Sequence, residues 1–400
     1  MGISSGKHVD ARHRDEPPCQ PDRGQAQARL CQCRCCWLPA SLAFLAFIVG
    51  LLAPVPGSAE RLRVATYHAE LSRDGPGLLL RDILKGDDPQ LLAFRAVLAE
   101  TSPDILLVQG VDYDHGQATL AALQSWLRDG GVEYPYAFSL PPNAGVPTGL
   151  DMDGDGRLGE PEDNQGFGRF YGEGGMALLS RYPIGADMAR DFSGLLWADL
   201  PGALLPQRDG APFPSAEAQA VLRLASVAHW MVPVETPSGP LVLMAFHAAP
   251  PVFDGVEDRN GRRNHDQLIF WRHLLDGAFG AVPEPPFVLI GNANLDPEDG
   301  DGRREAIRAL LTDPRLQDPE PARPRGPLAD HPGHAGDPRL DTVAWPAPDP
   351  GHRRVSYVLP SAEIVVRGAG VYWPPKGDPA AELAATASRH RLVWVDMSLN

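Results

Sequence analysis

Between residues 61 and 398 short apolar runs alternate with longer amphipathic ones. RLRVATYH (61–68), DILLVQ (104–109), GMALLSRYPI (175–184), PLVLMAFHAA (240–249), PFVLIGNANL (286–295), RVSYVLP (354–360) and RLVWVDM (391–397) are rich in β-branched and aromatic residues and read as strands. Residues 89–100, 117–128, 262–277 and 302–312 repeat apolar positions at helical spacing. In SVAHWMVPVETPSGPLVLMAF two alternating runs flank Thr-Pro-Ser-Gly, which predicts a hairpin. Mixed strands with helices between them predict an α/β fold of two packed sheets with helices on both outer faces. Residues 318–352, dense in Pro, Gly, Asp and His, predict a long surface loop in which His331 and His334 are solvated. No internal repeat is visible.

Ahead of this body, Trp37 to Ala53 form an apolar run with Arg29 and Arg34 before it and small residues near Ser58 and Ala59 after it. That order fits an export signal cleaved after Ala59, or an uncleaved anchor, and in both cases the arginines leave the body outside the cytoplasm. The chain therefore divides into a cytoplasmic or cleaved segment (1–36), a signal peptide or membrane anchor (37–59) and one domain (60–400). All five cysteines lie before residue 37, so no disulfide can hold the body, and the CQCRCC cluster lacks zinc-finger spacing.

Charge narrows the partners. The net charge is −15, and the first 59 residues hold 6 basic and 4 acidic side chains, which leaves the remainder at −17. Such a surface repels a phosphate backbone at long range, so tight, non-specific nucleic-acid binding is not expected. A monomer is expected.

The clearest local motif is DMDGDGRLGEPE, residues 151–162. Asp151, Asp153 and Asp155 fall at positions 1, 3 and 5 of a twelve-residue calcium loop, Gly156 at the tight turn and Glu162 at the bidentate position. Ca2+ there would be structural, because a closed oxygen cage leaves little room for substrate.

Polar residues also stand where apolar strands stop, in RVATYH, LLVQGVD, MAFHAAPP, LIGNANLDP, RVSYVLPS and SRHRLVW. Groups at strand ends from distant parts of a chain converge on one crevice. The order of these six, with VFDGVEDRNGRRNHDQ (252–267), resembles the endonuclease/exonuclease/phosphatase superfamily, in its bacterial exported form, over residues 61–398. The resemblance implies a four-layer α/β/β/α sandwich and a Mg2+-dependent site for phosphoester hydrolysis at one end of the sheets. A phosphoester small molecule, a lipid headgroup or an oligonucleotide would be its substrate.

Residue by residue, the resemblance implies that His247 is the phosphate-contacting histidine and that Asn294 and His390 are retained site residues. It also exposes departures. His68 replaces an asparagine, and Gln109–Gly110 replaces a Gln-Glu pair whose glutamate is the principal magnesium ligand. Asn292 replaces the aspartate that aligns the nucleophilic water, Ser356 replaces a strand aspartate, and Arg389 replaces the aspartate before His390. An amide cannot act as a base near neutral pH, and losing one acid–base group costs about 10²–10⁴ in rate. The expectation is a catalytically weakened or inactive member. The alternatives are an active enzyme with a rearranged metal site, in which Asp112 or the Asp296, Glu298, Asp299 and Asp301 loop supplies oxygens, and a calcium-binding structural module.

Overall fold

The computed structural model describes residues 61–280, 282–324, 334–346 and 349–399. The expectations for 1–36, for the signal or anchor at 37–59, and for His331 lie outside the described residues. Among the described residues no helix is long and apolar enough to cross a membrane.

Among the described residues eleven strands form the two main sheets. β1 (Leu62–His68), β2 (Ile105–Val111), β3 (Tyr136–Phe138), β4 (Gly175–Ser180), β10 (Val365–Val371) and β11 (Val393–Ser398) give one sheet in the order β10-β11-β1-β2-β4-β3. β5 (Arg190–Asp191), β6 (Ala228–Thr236), β7 (Gly239–His247), β8 (Phe287–Asn292) and β9 (Ser356–Pro360) give the other, in the order β9-β8-β7-β6-β5. Each sheet is mixed. β1 and β2 run parallel, as do β7 and β8, while the remaining neighbours are antiparallel. The β6–β7 hairpin turns at Pro237–Ser238, with Thr236 paired to Gly239, as the turn residues predict.

Period-two alternation builds three apolar layers. Val64, Ile105, Leu107, Trp230, Leu243, Ile290, Val358 and Val395 meet between the sheets. The opposite faces are covered by helices. Ala65, Leu106, Val108 and Leu179 pack under α1 (Leu78–Lys85), α2 (Pro89–Thr101), α3 (Ala118–Asp129) and α6 (Pro379–Ala387). Met244, Phe246, Leu289 and Tyr357 pack under α4 (Arg259–Leu275) and α5 (Glu305–Leu311). Each fully buried aliphatic side chain contributes about 1.5–3 kcal/mol, so the body stands on its core without cross-links. Helix starts are encoded locally: Asp88 and Asp378 each precede a proline and accept a backbone N–H of the first turn, which caps α2 and α6.

The described residues of 318–352 are largely irregular, but His334 is not solvated. Its side chain is 9% exposed and wedged between carboxylates, with Nδ1 3.3 Å from Asp299 and Nε2 3.1 Å from Asp341. A short ribbon, Val343–Ala344 with His352–Arg353, also orders this stretch.

Candidate functional site

On β1, β2, β7, β8 and β9 the residues in phase with the inter-sheet core end in polar side chains. Following Val64 come Thr66 and His68; following Leu107 comes Gln109; following Ala245 comes His247; following Ile290 comes Asn292. Register aligns them: His68 lies beside Gln109, Asn292 beside His247, and Asn292 also beside Ser356. The crevice is therefore the polar end of the layer between the sheets. Gln109 closes its floor by donating to Thr66 Oγ1 at 2.6 Å.

The polar residues of 252–267 hold the turns that carry this site. Asn264 Nδ2 donates to the carbonyls of Ala249 and Ala293, and Gln267 Oε1 accepts the Ala249 N–H. These are the turns that follow His247 and Asn292.

Three imidazoles share the crevice. The His68 ring lies 4.7 Å from that of His247 and 4.3 Å from that of His390, and Trp345 meets His390 edge-on at 5.7 Å. Burial drives the pKa of all three well below the ordinary histidine value, and neighbouring imidazoles push further. For His390 the cations of Arg389 and Arg391 act in the same direction. All three are therefore neutral at pH 7.

The carboxamides fix the hydrogen-bond sense. Asn292 Oδ1 accepts the Asn294 N–H at 2.9 Å, which turns Asn292 Nδ2 toward the histidines, 3.1 Å from His68 Nδ1 and 3.4 Å from His247 Nε2. Asn294 Nδ2 donates to the Ala248 carbonyl at 2.8 Å. An aspartate at 292 would stabilise a charged imidazole; the carboxamide favours neutral ones.

Position 110 explains why its family glutamate is absent. Gly110 sits at a bulge with φ of +70°, and a Cβ there would lie 2.8 Å from His68 Cδ2 and 2.9 Å from His68 Nε2. The His68 imidazole fills the space a residue-110 side chain would use, so the two departures are one exchange. Arg389 has a partner that sequence reading missed. Glu70 accepts from the Arg389 backbone N–H at 2.8 Å and from its Nε at 2.9 Å, and also from Ser388 Oγ. Burial alone would raise the Glu70 pKa, yet the bonds from Arg389 hold it down.

Two acids proposed as substitute ligands serve the backbone instead. Asp112 accepts from Ser72 Oγ and from the N–H groups of Arg73 and Gly174; Asp296 accepts from those of Glu298, Asp299 and Arg354. Magnesium requires hard oxygen ligands. At 110, 292, 356 and 389 the chain offers glycine, a carboxamide, a hydroxyl and a paired guanidinium, and these do not fit it. Elsewhere, the ligand oxygens of Asp151, Asp153 and Asp155 lie within 4.8 Å of one another. Glu162 does not join them. Its neighbour Asp163 turns inward, accepting the N–H groups of Met152 and Glu160.

A four-layer sandwich with a polar crevice at one end of two mixed sheets defines a phosphoester-hydrolase fold. The chain belongs to the endonuclease/exonuclease/phosphatase family, whose model matches residues 82–390. Among solved structures, an endonuclease/exonuclease/phosphatase from Beutenbergia cavernae DSM 12333 is similar at 19% identity and a TM-score of 0.50, over 85% of this chain and 72% of that one. A family protein from Leptotrichia buccalis C-1013-b is similar at 15% identity and a TM-score of 0.46, over 84% of this chain and 100% of that one. No curated protein matches the chain. The solved structures speak for the fold alone.

Proposed function

We propose that this chain is an extracytoplasmic member of the family that keeps the crevice as a binding site and has lost magnesium-dependent hydrolysis. The observation that carries this reading is the donor set: no carboxylate stands at 110, 292, 356 or 389, and His68 fills the space beside Gly110. Removing several members of an acid–base unit costs less than the product of the single losses, because the first loss already disables it. The crevice would take a compact phosphoester such as a small molecule, a lipid headgroup or a short oligonucleotide end, since the body's charge of −17 opposes an extended polyanion. The apolar run at 37–53 supports export or anchoring. The test is hydrolysis of plasmid DNA, bis-p-nitrophenyl phosphate and sphingomyelin with Mg2+, Mn2+ or Ca2+. The expected outcome is no turnover above buffer; robust turnover abolished by His247→Ala would overturn the reading.

A second function, calcium binding as a loop clamp, is favoured by the gathered carboxylates of Asp151, Asp153 and Asp155. Titration calorimetry should give a calcium heat that disappears in Asp151→Ala. Absence of that heat in the unmodified chain removes the idea.

A further inference from the structure

Two stretches at the mouth of the crevice carry large apolar side chains outward. Residues 248–258 leave β7 directly after His247, and their tip holds Phe253 and Val256, 86% and 90% exposed. Residues 143–174 cross from one sheet to the other. Gly172 accepts the Tyr113 N–H beyond the end of β2, and Asn143 donates its N–H to Val227, next to the Ala228 that pairs with His247. Leu158, Phe167 and Tyr171 on this second stretch are also exposed. Arg259 donates to the Met152 carbonyl and ties the two stretches together. Apolar side chains scattered singly over a surface need no explanation, whereas five grouped around one polar crevice mark an interaction site. The Phe253 tip is also firmly built. Its backbone is left-handed, with φ of +70°, which an aromatic residue rarely adopts and which persists only where the surroundings enforce it. They do: Asn260 Nδ2 donates to the Val252 carbonyl at 2.8 Å, Asp254 accepts the Asn260 N–H, and Glu257 accepts the Gly255 N–H at 3.0 Å.

Charge and shape select the partner. The arginines of this rim are paired, Arg169 with Asp74 and Glu173, Arg157 with Glu160, Arg208 with Glu257 and Arg303 with Asp258. They leave no basic patch for an anionic membrane, which the body's charge of −17 also repels. A protein partner needs a packed core from which water is excluded, and side-chain tips on separate loops with ion pairs between them do not supply one. A lipid interface accepts apolar side chains one at a time, to a depth of about 5–10 Å. Phe253 follows His247 by six residues, which keeps the tip within about 22 Å of the crevice. We propose that this rim docks the protein on an electroneutral phospholipid surface, with Phe253 and Val256 seated among the lipids and one zwitterionic headgroup presented to the crevice. The inference rests on the reading that the crevice takes a compact phosphoester, and it narrows that class to a lipid held in its bilayer.

The test uses residues 60–400, which hold all three apolar layers in one compact unit and lack the apolar run at 37–53 that would bind lipid by itself. Sedimentation with phosphatidylcholine vesicles should show binding that Phe253→Ser with Val256→Ser weakens at least tenfold. Met188→Ser, an equally exposed apolar site that follows the other end of β4, should leave it unchanged. Phe253→Trp should add emission that shifts to the blue on vesicles and is quenched by brominated phosphatidylcholine. Circular dichroism verifies that each variant is folded, and Val256→Ser alone replaces the double variant should that one unfold. Vesicle binding that is absent, that persists in the rim variants or that appears only with anionic lipid overturns the inference and leaves the proposed function as it was. Calorimetry with soluble glycerophosphocholine reports the crevice by itself, with a heat expected in the parent and lost in His247→Ala. Absence of that heat beside rim-dependent vesicle binding strikes down the crevice reading and leaves the docking surface standing.

Discussion

At the scale of single residues, the departures from the family pattern are coupled. A glutamate placed at 110 faces two penalties: a positive φ of +70° that suits glycine, and a Cβ within 2.8 Å of the His68 ring. Gly110→Glu alone should destabilise the protein by about 1–3 kcal/mol, through backbone strain plus displacement of a buried ring. Adding His68→Asn removes the ring and should recover a large part of that loss. Thermal denaturation of the single and double variants decides it; equal melting temperatures would mean the ring is not what excludes the side chain. The same coupling governs any attempt to rebuild the family's carboxylates. Arg389→Asp would set a second carboxylate against Glu70, which now accepts from both the backbone and the side chain of Arg389. Restoration therefore has to include His68 and Glu70 as well as the four substituted positions.

At the scale of elements, legibility followed the strength of local signals. β1, β2, β7 and β8 were readable because each carries an unbroken apolar run, and α2 because Asp88–Pro89 marks its first turn. β10 escaped: VVRGAGV carries two glycines and a bulge, and only pairing with β11 makes it a strand. α1 also went unseen, since it is only eight residues long and starts without a side-chain cap. The site divides along the same line. His68, His247, Asn292, Asn294 and His390 could be placed because apolar strands stop close to them and the resemblance to the family names each position. The partners of acids could not, because Asp112 and Glu70 find theirs tens or hundreds of residues away, and Asp296 joins two nearby N–H groups to the distant one of Arg354. A carboxylate in a loop reads as a free ligand until the backbone N–H groups around it are known. His334 failed for the same reason: a loop rich in Pro and Gly gives no hint that Asp299 and Asp341 enclose it.

At the scale of the whole molecule, the buried histidines set how stability follows pH. His68, His247 and His390 are neutral in the folded protein, held well below 6.5 chiefly by burial. His229 joins them: its pKa falls to about 3 by burial, it stacks on Phe270 at 4.8 Å, and both its ring nitrogens lack partners. An unfolded chain protonates these groups near 6.5, so between that pH and the folded values it binds more protons than the native state. Stability therefore rises with pH through this window, is fully present above about 6.5 and is lost on acidification, by up to ~1.4 kcal/mol per pH unit per histidine. Asp341 works the other way. Burial pushes its pKa up to about 6, so the folded state holds a proton that the unfolded chain has released, and it favours folding as pH falls toward its ordinary range; burial raises Asp112 and Asp153 in the same direction. The four histidines outnumber these three carboxylates, and the net expectation is a loss of stability between pH 6.5 and 4. Glu70 adds to the acid loss, because its depressed pKa means Arg389 releases it only as the carboxylate protonates. His229→Leu isolates one contributor away from the crevice. It removes two unpartnered buried nitrogens and one proton-binding site, so it should leave stability at pH 7.5 unchanged or higher and reduce the slope below pH 6.5 by about one proton. Urea unfolding at half-unit pH steps measures that slope; a variant whose curve runs parallel to the parent's through pH 5 would show that His229 is charged inside the fold.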